Sequence, residues 1–556
     1  MKKVIRNNIP IFIIFFSVLF AATYGLLSGY FQQDEWLGLA LAMKSYNLPW
    51  WDVFVPGNMH FAPLGKIFWR VMYRIFALRA EYYFLIELII HALTSTLVYV
   101  LSTKLTKNKV ISALTAFLFL LNGRAHQAFT HLAIFHVTTT TMFLIMLFFV
   151  YLSTINEKVL NIKQVVILFL IFLASILTRE EGFIIIPITI AYLYSFDRKK
   201  FNKKNFKVFV VFSLGIVSFL IVRVFAQKLY TEPIPVIYQL TGNGAEYNLL
   251  TIPIKFVVQN LIYSERIALF YLNHFVKIYP DIESYFASQA PLMDAAFFYI
   301  FGILASIKGV WLWLVRPKKI KAIIAISITW ILSNAFILAF IGRHLSVLEP
   351  RYLYYSSFPV FLVTSIILYD FYIFKPKKKL IGLLNKFIVS CVIVLLFVAS
   401  FQEIRVAVNR QKIDGVAKKQ IFESLKEIHP VLSDNTIFYI TCRDKCYRNS
   451  EFGIPVENVL PFSSGPGMIF LTVFAQGQEE KWGNFFTQKF LFDIYAEDYK
   501  KMGDKSFGYF VTKSKLEETL NKNKLSLDTV VALEVDEKDY TFTDISEDFR
   551  KSLKLN

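Results

Sequence analysis

Short polar segments interrupt the apolar runs of this chain, and a few of them carry side chains able to do chemistry together. Phe31-Gln32-Gln33-Asp34-Glu35-Trp36 sets two carboxylates side by side just after the first apolar run. Thr178-Arg179-Glu180-Glu181-Gly182 wedges a guanidinium and two more acids between two other runs. Asn58-Met59-His60-Phe61-Ala62-Pro63-Leu64, Gly342-Arg343-His344 and Glu349-Pro350-Arg351-Tyr352 complete the set. A carboxylate at a lipid–water boundary is placed to act as a base on a lipid-borne substrate. It equally complements the dipole at the start of a helix, here one running through Leu37, Leu41 and Met43. Guanidinium groups offer planar, paired donors that suit phosphate oxygens. A tight turn with a neutralised Arg179, or snorkelling of Arg343 and Arg351 at an interface, explains each arginine without function. Beside the aromatic pair Tyr354-Tyr355, two arginines also suit an anionic head group.

Other candidates are weaker. His126, His131 and His136 recur every five residues, which puts successive members about 140° apart on a helix, so they share no face and make no metal site. Glu87 and His91, four apart, do share one. They read as a pair that locks packing before they read as support for a cavity. Three cysteines, Cys391, Cys442 and Cys446, are too few and too irregular for a zinc site or a disulfide framework, although Cys442 and Cys446 are near enough to bridge.

The elements that must position these groups follow from composition. The chain has 556 residues, of which 55% are hydrophobic, 17% aromatic and only 18% charged, with a mean hydropathy of +0.49. A soluble chain carries roughly a quarter charged residues, so the deficit points to a multi-span membrane protein. The net charge of +19 does not imply nucleic acid, because the charges sit in short loops between apolar runs. Apolar runs predict about eleven transmembrane helices, near 9–29, 82–102, 110–122, 130–153, 163–177, 182–196, 207–227, 292–315, 321–341, 353–374 and 383–401. The basic start, Lys2, Lys3 and Arg6, followed by a long apolar run, predicts a retained signal-anchor. Alternate loops hold the lysines, among them Lys104, Lys107, Lys199, Lys200, Lys318, Lys319 and Lys378. The positive-inside rule then places the N-terminus inside and the C-terminus, with Asp34 and Glu35, outside.

Two outer segments are long. Residues 30–80, rich in Trp, Phe and Pro, predict short interfacial helices, and residues 228–290 hold an amphipathic run, Leu249–Tyr263. Domains are expected at 1–401, the transmembrane part, and 402–556, a small extracytoplasmic α/β domain. In the latter Ile421–Ile428 reads as helix, and Thr436–Thr441, Met468–Phe474, Tyr509–Thr512 and Thr529–Glu534 read as strands. The inner loops are mainly lysine, as topology requires. The outer span ends instead mix acid, arginine and histidine, and their convergence on one face suggests a single polar cavity.

An acidic pair after the first span, a His-x-x-Pro-Leu stretch, Thr178-Arg179-Glu180-Glu181 before Pro187, and Arg351-Tyr352 before the tenth span together resemble the GT-C membrane glycosyltransferases. The likeness covers about residues 1–401 and is strongest to the branch of protein O-mannosyltransferases, the lipid A aminoarabinose transferase and related polyprenyl-phosphate-sugar transferases. Those relatives often carry lysine where Arg179 stands. The resemblance implies a GT-C-like fold and a polyprenyl-phosphate-linked sugar donor. It also implies an outward-facing site in a plasma membrane and inversion at the sugar carbon. The acceptor is a hydroxyl of a lipid, glycan or protein. The resemblance makes Asp34 the base, with Glu35 beside it, and His60, Arg179, Glu180, Arg351 and Tyr352 substrate-binding groups; Arg343, outside these motifs, joins them as the second arginine suited to an anionic head group. No cofactor is required; some members use a divalent metal, which Asp34, Glu35 and His60 would hold. A lysine- and isoleucine-rich chain with a short inner N-terminus suits a bacterium. Two alternatives stand beside this reading: a polytopic lipid or glycan transporter or flippase, and an oligosaccharide polymerase or ligase using a diphosphate-linked donor.

Overall fold

Long apolar stretches without charge satisfy their backbone only as helices inside a membrane, and helices dominate the computed structural model. It describes residues 2–32, 34–54, 61–154, 160–196, 203–228, 245–261, 311, 314–315, 317–339, 348–374, 376, 378–442, 466–492, 496–536 and 541–553. In order these form α1 (Lys2–Ala22), α2 (Asp34–Lys44), α3 (Pro63–Phe76), α4 (Ala80–Thr106), α5 (Lys109–Leu120), α6 (Gln127–Thr130), α7 (Phe135–Thr154), α8 (Ile162–Thr178) and α9 (Ile185–Phe196). They continue as α10 (Lys203–Lys228), α11 (Ala245–Leu261), α12 (Lys318–Ala339), α13 (Pro350–Ile373) and α14 (Lys379–Ile428).

Among the described residues six helices are long and apolar enough to cross a membrane: α4, α7 with the turn before it, α10, α12, α13 and α14. The segments Arg6–Ala22, Lys109–Leu120 and Ile162–Thr178 are apolar but shorter. The protein is therefore an α-helical, multi-pass membrane protein. The expected span at 292–315 lies almost wholly outside the described residues. The first helix stops at Ala22, seven residues before the expected end, because Gly25 takes φ 103° and turns the chain into a short 3₁₀ turn.

Helix α13 sits at the centre, with 72% of its most apolar stretch buried, against 28% for α10 and 17% for α14. It packs on α5, α7, α11 and α12, while α4 packs on α1, α5 and α7. On the periphery, Leu383, Phe387 and Val394 of α14 are more than half exposed, as lipid-facing side chains would be. At one end of the bundle the lysines of different loops meet: Lys104 Nζ donates to Ser153 Oγ at 2.6 Å, and Lys319 Nζ to the Thr106 carbonyl at 3.1 Å. The polar motifs lie at the other end.

Glu87 and His91 do not pair with each other, which corrects the sequence reading. Thr138 donates to Glu87, whereas His91 bonds the Tyr354 hydroxyl (2.7 Å) and the Leu120 carbonyl (3.0 Å). Each locks α4 to a different neighbour, α7 for one and α13 for the other. The packing role holds, through other partners.

Helix α14 runs through residue 402 without a break and leads into a five-stranded sheet. Strand β1 (Asn435–Cys442) is central, followed in the chain by β2 (Asp498–Met502), β3 (Lys505–Phe510), β4 (Val530–Asp536) and β5 (Thr541–Asp544). The order is β2-β3-β1-β4-β5, with β1 parallel to β3 and β4 and both edges antiparallel. Met468–Phe474 is helical, within Pro466–Phe474, and not a strand. A short apolar run cannot be told from a buried helix by periodicity. Here Phe470 and Phe474 lie 5.2 and 5.3 Å from the Phe438 ring, so the helix covers one face of the sheet. The expected Cys442–Cys446 bridge falls outside the described residues, since the Cys442 side chain and all of Cys446 do.

Candidate functional site

Helix α2 begins at the acid pair, and the two acids part company there. Asp34 is exposed, whereas Glu35 is fully buried. The Glu35 carboxylate takes the Gln32 backbone N–H at 2.8 Å, reaching back as the acid of a capping box does. It also takes the Leu132 N–H at 2.6 Å, and His131 Nδ1 lies 3.1 Å from the same oxygen. Glu35 therefore fastens the start of α2 to the turn before α7, and Asp34 stands next to that fastening, facing solvent.

Three contacts hold α2 along its length. Gly38 lets the indole of Trp69 on α3 lie flat against it; a Cβ there would sit 2.4 Å from the ring. Trp36 packs on Phe422 of α14 at 5.0 Å. At its far end Asn47 donates to the Glu480 carbonyl (3.1 Å), and from α3 Tyr73 donates to Glu479 (2.8 Å). The segment around the sheet thus docks on the helices that carry the acid pair.

Arg179 is 6% exposed at the end of α8. Its Nε lies 2.8 Å from Glu181 Oε1, as an ion pair without hydrogen-bond alignment, and its Nη1 donates to His136 Nε2 at 2.5 Å. The Tyr355 ring lies 6.0 Å away. Burial opposes the charge of Arg179, but Glu181, Tyr355, Tyr352 and Glu180 more than offset it, so the guanidinium stays cationic. Glu180 accepts the Phe61 N–H at 3.1 Å, tying the stretch that follows His60 to the Arg179 turn. On α13, Arg351 pairs with Glu349 and lies 5.2 Å from the Tyr352 ring; Tyr355, which faces Arg179, is one turn further on.

His131 and His136 connect the two halves. One touches Glu35 and the other holds Arg179, with a single 3₁₀ turn, Leu132–Ile134, and the start of α7 between them. The fold therefore gathers Glu35, Arg179, Glu180 and Tyr352 at one end of the bundle with Asp34 at its surface. Arg351 joins them through Tyr352. His60 and Arg343 lie outside the described residues. Spacing alone does not single out His131 and His136 as partners; the usable signal is their position, in the polar gap between two apolar runs.

Of the three groups that would hold a divalent metal, His60 lies outside the described residues and Asp34 and Glu35 are in view. Both Glu35 oxygens already face protein N–H groups, and among the described residues no three His, Cys, Asp or Glu side chains gather as its ligands.

No protein-family model and no curated protein matches this chain. Among solved structures it is similar to ArnT from Cupriavidus metallidurans bound to undecaprenyl phosphate. The identity is 11% and the TM-score 0.47, over 95% of this chain and 96% of that one. The same protein in its apo state gives 11% identity and a TM-score of 0.48, over 95% and 93%. The archaeal oligosaccharyltransferase AglB from Archaeoglobus fulgidus, in complex with an inhibitory peptide and a dolichol-phosphate, gives 14% and 0.42, over 88% of this chain and 61% of that one. A likeness at these scores assigns no residue and no activity.

Proposed function

We propose that this protein is an integral membrane glycosyltransferase that moves a sugar from a polyprenyl-phosphate-linked donor to an acceptor hydroxyl, on a lipid, glycan or protein, at the outer face of a bacterial plasma membrane. The observation that carries the reading is the division of labour in the acid pair. Asp34 is exposed at the start of α2, while its neighbour Glu35 is buried and fixed to Gln32, His131 and Leu132. A base must present its carboxylate to the substrate while its backbone is held still, and this arrangement does both.

A sugar hydroxyl keeps its proton at neutral pH. Asp34 takes that proton as the acceptor oxygen attacks the anomeric carbon from the face opposite the phosphate. The carbon–oxygen bond to the lipid phosphate breaks, the electron pair leaves on the phosphate, and the configuration inverts. Arg179 and Arg351 on this end of the bundle, with Arg343 by its place in the sequence, stabilise the departing charge in a partly dry cavity, where such stabilisation is strongest. Glu181 and His136 hold the plane of Arg179. Glu35 and Glu180 act as positioning groups, and His60 and Tyr352 contact substrate. A monophosphate leaving group presents no diphosphate to chelate, so the reaction as proposed needs no metal.

Mass spectrometry of surface glycolipids and glycoproteins, with and without the protein, tests this reading. One product is expected to lose one sugar mass, with the polyprenyl-phosphate sugar accumulating. Unchanged glycans, or transport of donor with its sugar–phosphate bond intact, would overturn it.

A further inference from the structure

Helix α3 is apolar on two faces. Gly65, Trp69, Met72 and Tyr73 are buried against the protein, yet on the open side Val71 is exposed and Ile75 is 65% exposed. A helix facing water places polar side chains there. Beside it the 3₁₀ turn Trp50–Phe54 leaves both Trp50 and Trp51 more than half exposed. Large apolar groups standing out together mark a surface that something covers.

Two arginines one turn apart on α3 serve this turn differently. Arg70 is buried and builds it: its Nη2 donates to Asp52 Oδ2 at 2.8 Å, and its Nη1 donates to the carbonyls of Pro49 (3.4 Å) and Trp50 (3.3 Å). Arg74 is exposed, with its guanidinium 4.6 Å from the Trp50 ring and 5.1 Å from the Tyr46 ring. Among the described residues that guanidinium makes no ion pair and no hydrogen bond. Stacking occupies its faces and leaves the N–H edge, a fork that fits phosphate oxygens. The turn also packs on α10, whose Leu214, Val217, Leu220 and Val224 are half exposed, as lipid-facing side chains are. The patch is therefore continuous with the lipid-facing surface of the bundle.

We propose that Trp50, Trp51, Val71, Arg74 and Ile75 form a docking surface for the bilayer itself, at the end of the bundle that holds the polar motifs, and that Arg74 takes the phosphate of an anionic phospholipid head group. The aliphatic side chains enter the acyl boundary, the indoles sit at head-group level, and the guanidinium reaches the phosphate. In a zwitterionic lipid the choline already neutralises that phosphate, so an anionic lipid is preferred. On the other side of α3, Trp69 lies flat on Gly38 of α2, which holds the bilayer surface one helix away from the acid pair. The inference needs the membrane reading alone and not the transferase chemistry, so the two fail separately.

The test uses full-length protein reconstituted in phosphatidylcholine with a minor share of phosphatidylglycerol brominated high in its acyl chains, or the same share of brominated phosphatidylcholine. Bromine quenches nearby indoles, and the part due to Trp50 and Trp51 is the difference from a variant carrying Trp50→Phe and Trp51→Phe. Both lipids are expected to quench that part, with phosphatidylglycerol effective at about five-fold lower content. The preference is expected to shrink as salt rises and to vanish in Arg74→Gln, while quenching by phosphatidylcholine stays. Equal quenching by the two lipids in wild type, or a preference that salt and Arg74→Gln leave unchanged, would overturn the inference. So would the absence of quenching at Trp50 and Trp51 by either lipid, since protein and not bilayer would then cover the patch. Should a variant fail to accumulate, the salt series on wild-type protein decides between the same outcomes.

Discussion

Gly415→Ala perturbs the acid pair from outside, without touching any side chain placed in the chemistry. The added Cβ would sit 2.5 Å from the Tyr30 nitrogen, 2.7 Å from Gly29 Cα and 2.8 Å from the Gly29 carbonyl carbon. Ordinary contact begins near 3.4 Å, so helix α14 must retreat by about 1 Å, and the atoms in its way are backbone, which cannot swing aside. Overpacking of this kind costs about 1–3 kcal/mol. The retreat carries Phe422 away from Trp36 and Tyr30 at the start of α2, and a 1 Å misplacement around reacting groups costs up to about 10²-fold in rate. The assay compares Gly415→Ala with Val416→Ala, whose side chain is 49% exposed on another face. Thermal unfolding in detergent and donor turnover in membranes are measured for both. Gly415→Ala is expected to melt lower and turn over about ten-fold to 10²-fold more slowly, with Val416→Ala near wild type. Wild-type melting and rate in Gly415→Ala would refute the claim that close contact of α14 positions the acid pair.

Arg179→Ala is expected to weaken binding of a polyprenyl phosphate, read as a smaller ligand-induced rise in melting temperature, and Arg179→Lys to fall between, since it keeps charge but loses the fork. Unchanged affinity in Arg179→Ala would remove the residue from the phosphate site. Glu497 near the sheet accepts from Val511 N (3.0 Å), Thr512 N (2.7 Å) and the Thr512 hydroxyl (2.8 Å). Burial raises its carboxyl, but these bonds and Lys515 outweigh burial and hold it below its ordinary value. Its stabilisation is therefore fully present above the unfolded value of 4.5 and fades as pH falls through the lower folded value. Glu497→Gln is expected to cost about 1–3 kcal/mol near neutrality and to flatten the loss of stability toward acid; identical melting curves across pH would contradict this.

Sequence patterns reached the helices and missed most of the pairings. Apolar runs located α4, α7, α10, α12 and α13 because lipid permits little else. The acid pair predicted the start of α2 through its dipole. Glu35 finds Leu132, 97 residues on, and Arg179 finds His136, 43 back. No local period encodes such contacts. Met468–Phe474 was misread because a buried helix on a sheet and a buried strand share the same short apolar run. Lys418 is 3% exposed and the side chain of its neighbour Lys419 59%: two adjacent lysines look alike in sequence until the helix face that buries one of them is known.

The proposed role of Asp34 as the base of a sugar transfer from polyprenyl phosphate has a direct test. Membranes carrying Asp34→Asn, which keeps the shape and removes the charge, can be supplied with lipid-labelled polyprenyl-phosphate sugars and assayed for released polyprenyl phosphate beside wild type. The predicted result is loss of release with normal expression, membrane insertion and melting temperature. Release at the wild-type rate by Asp34→Asn would contradict it.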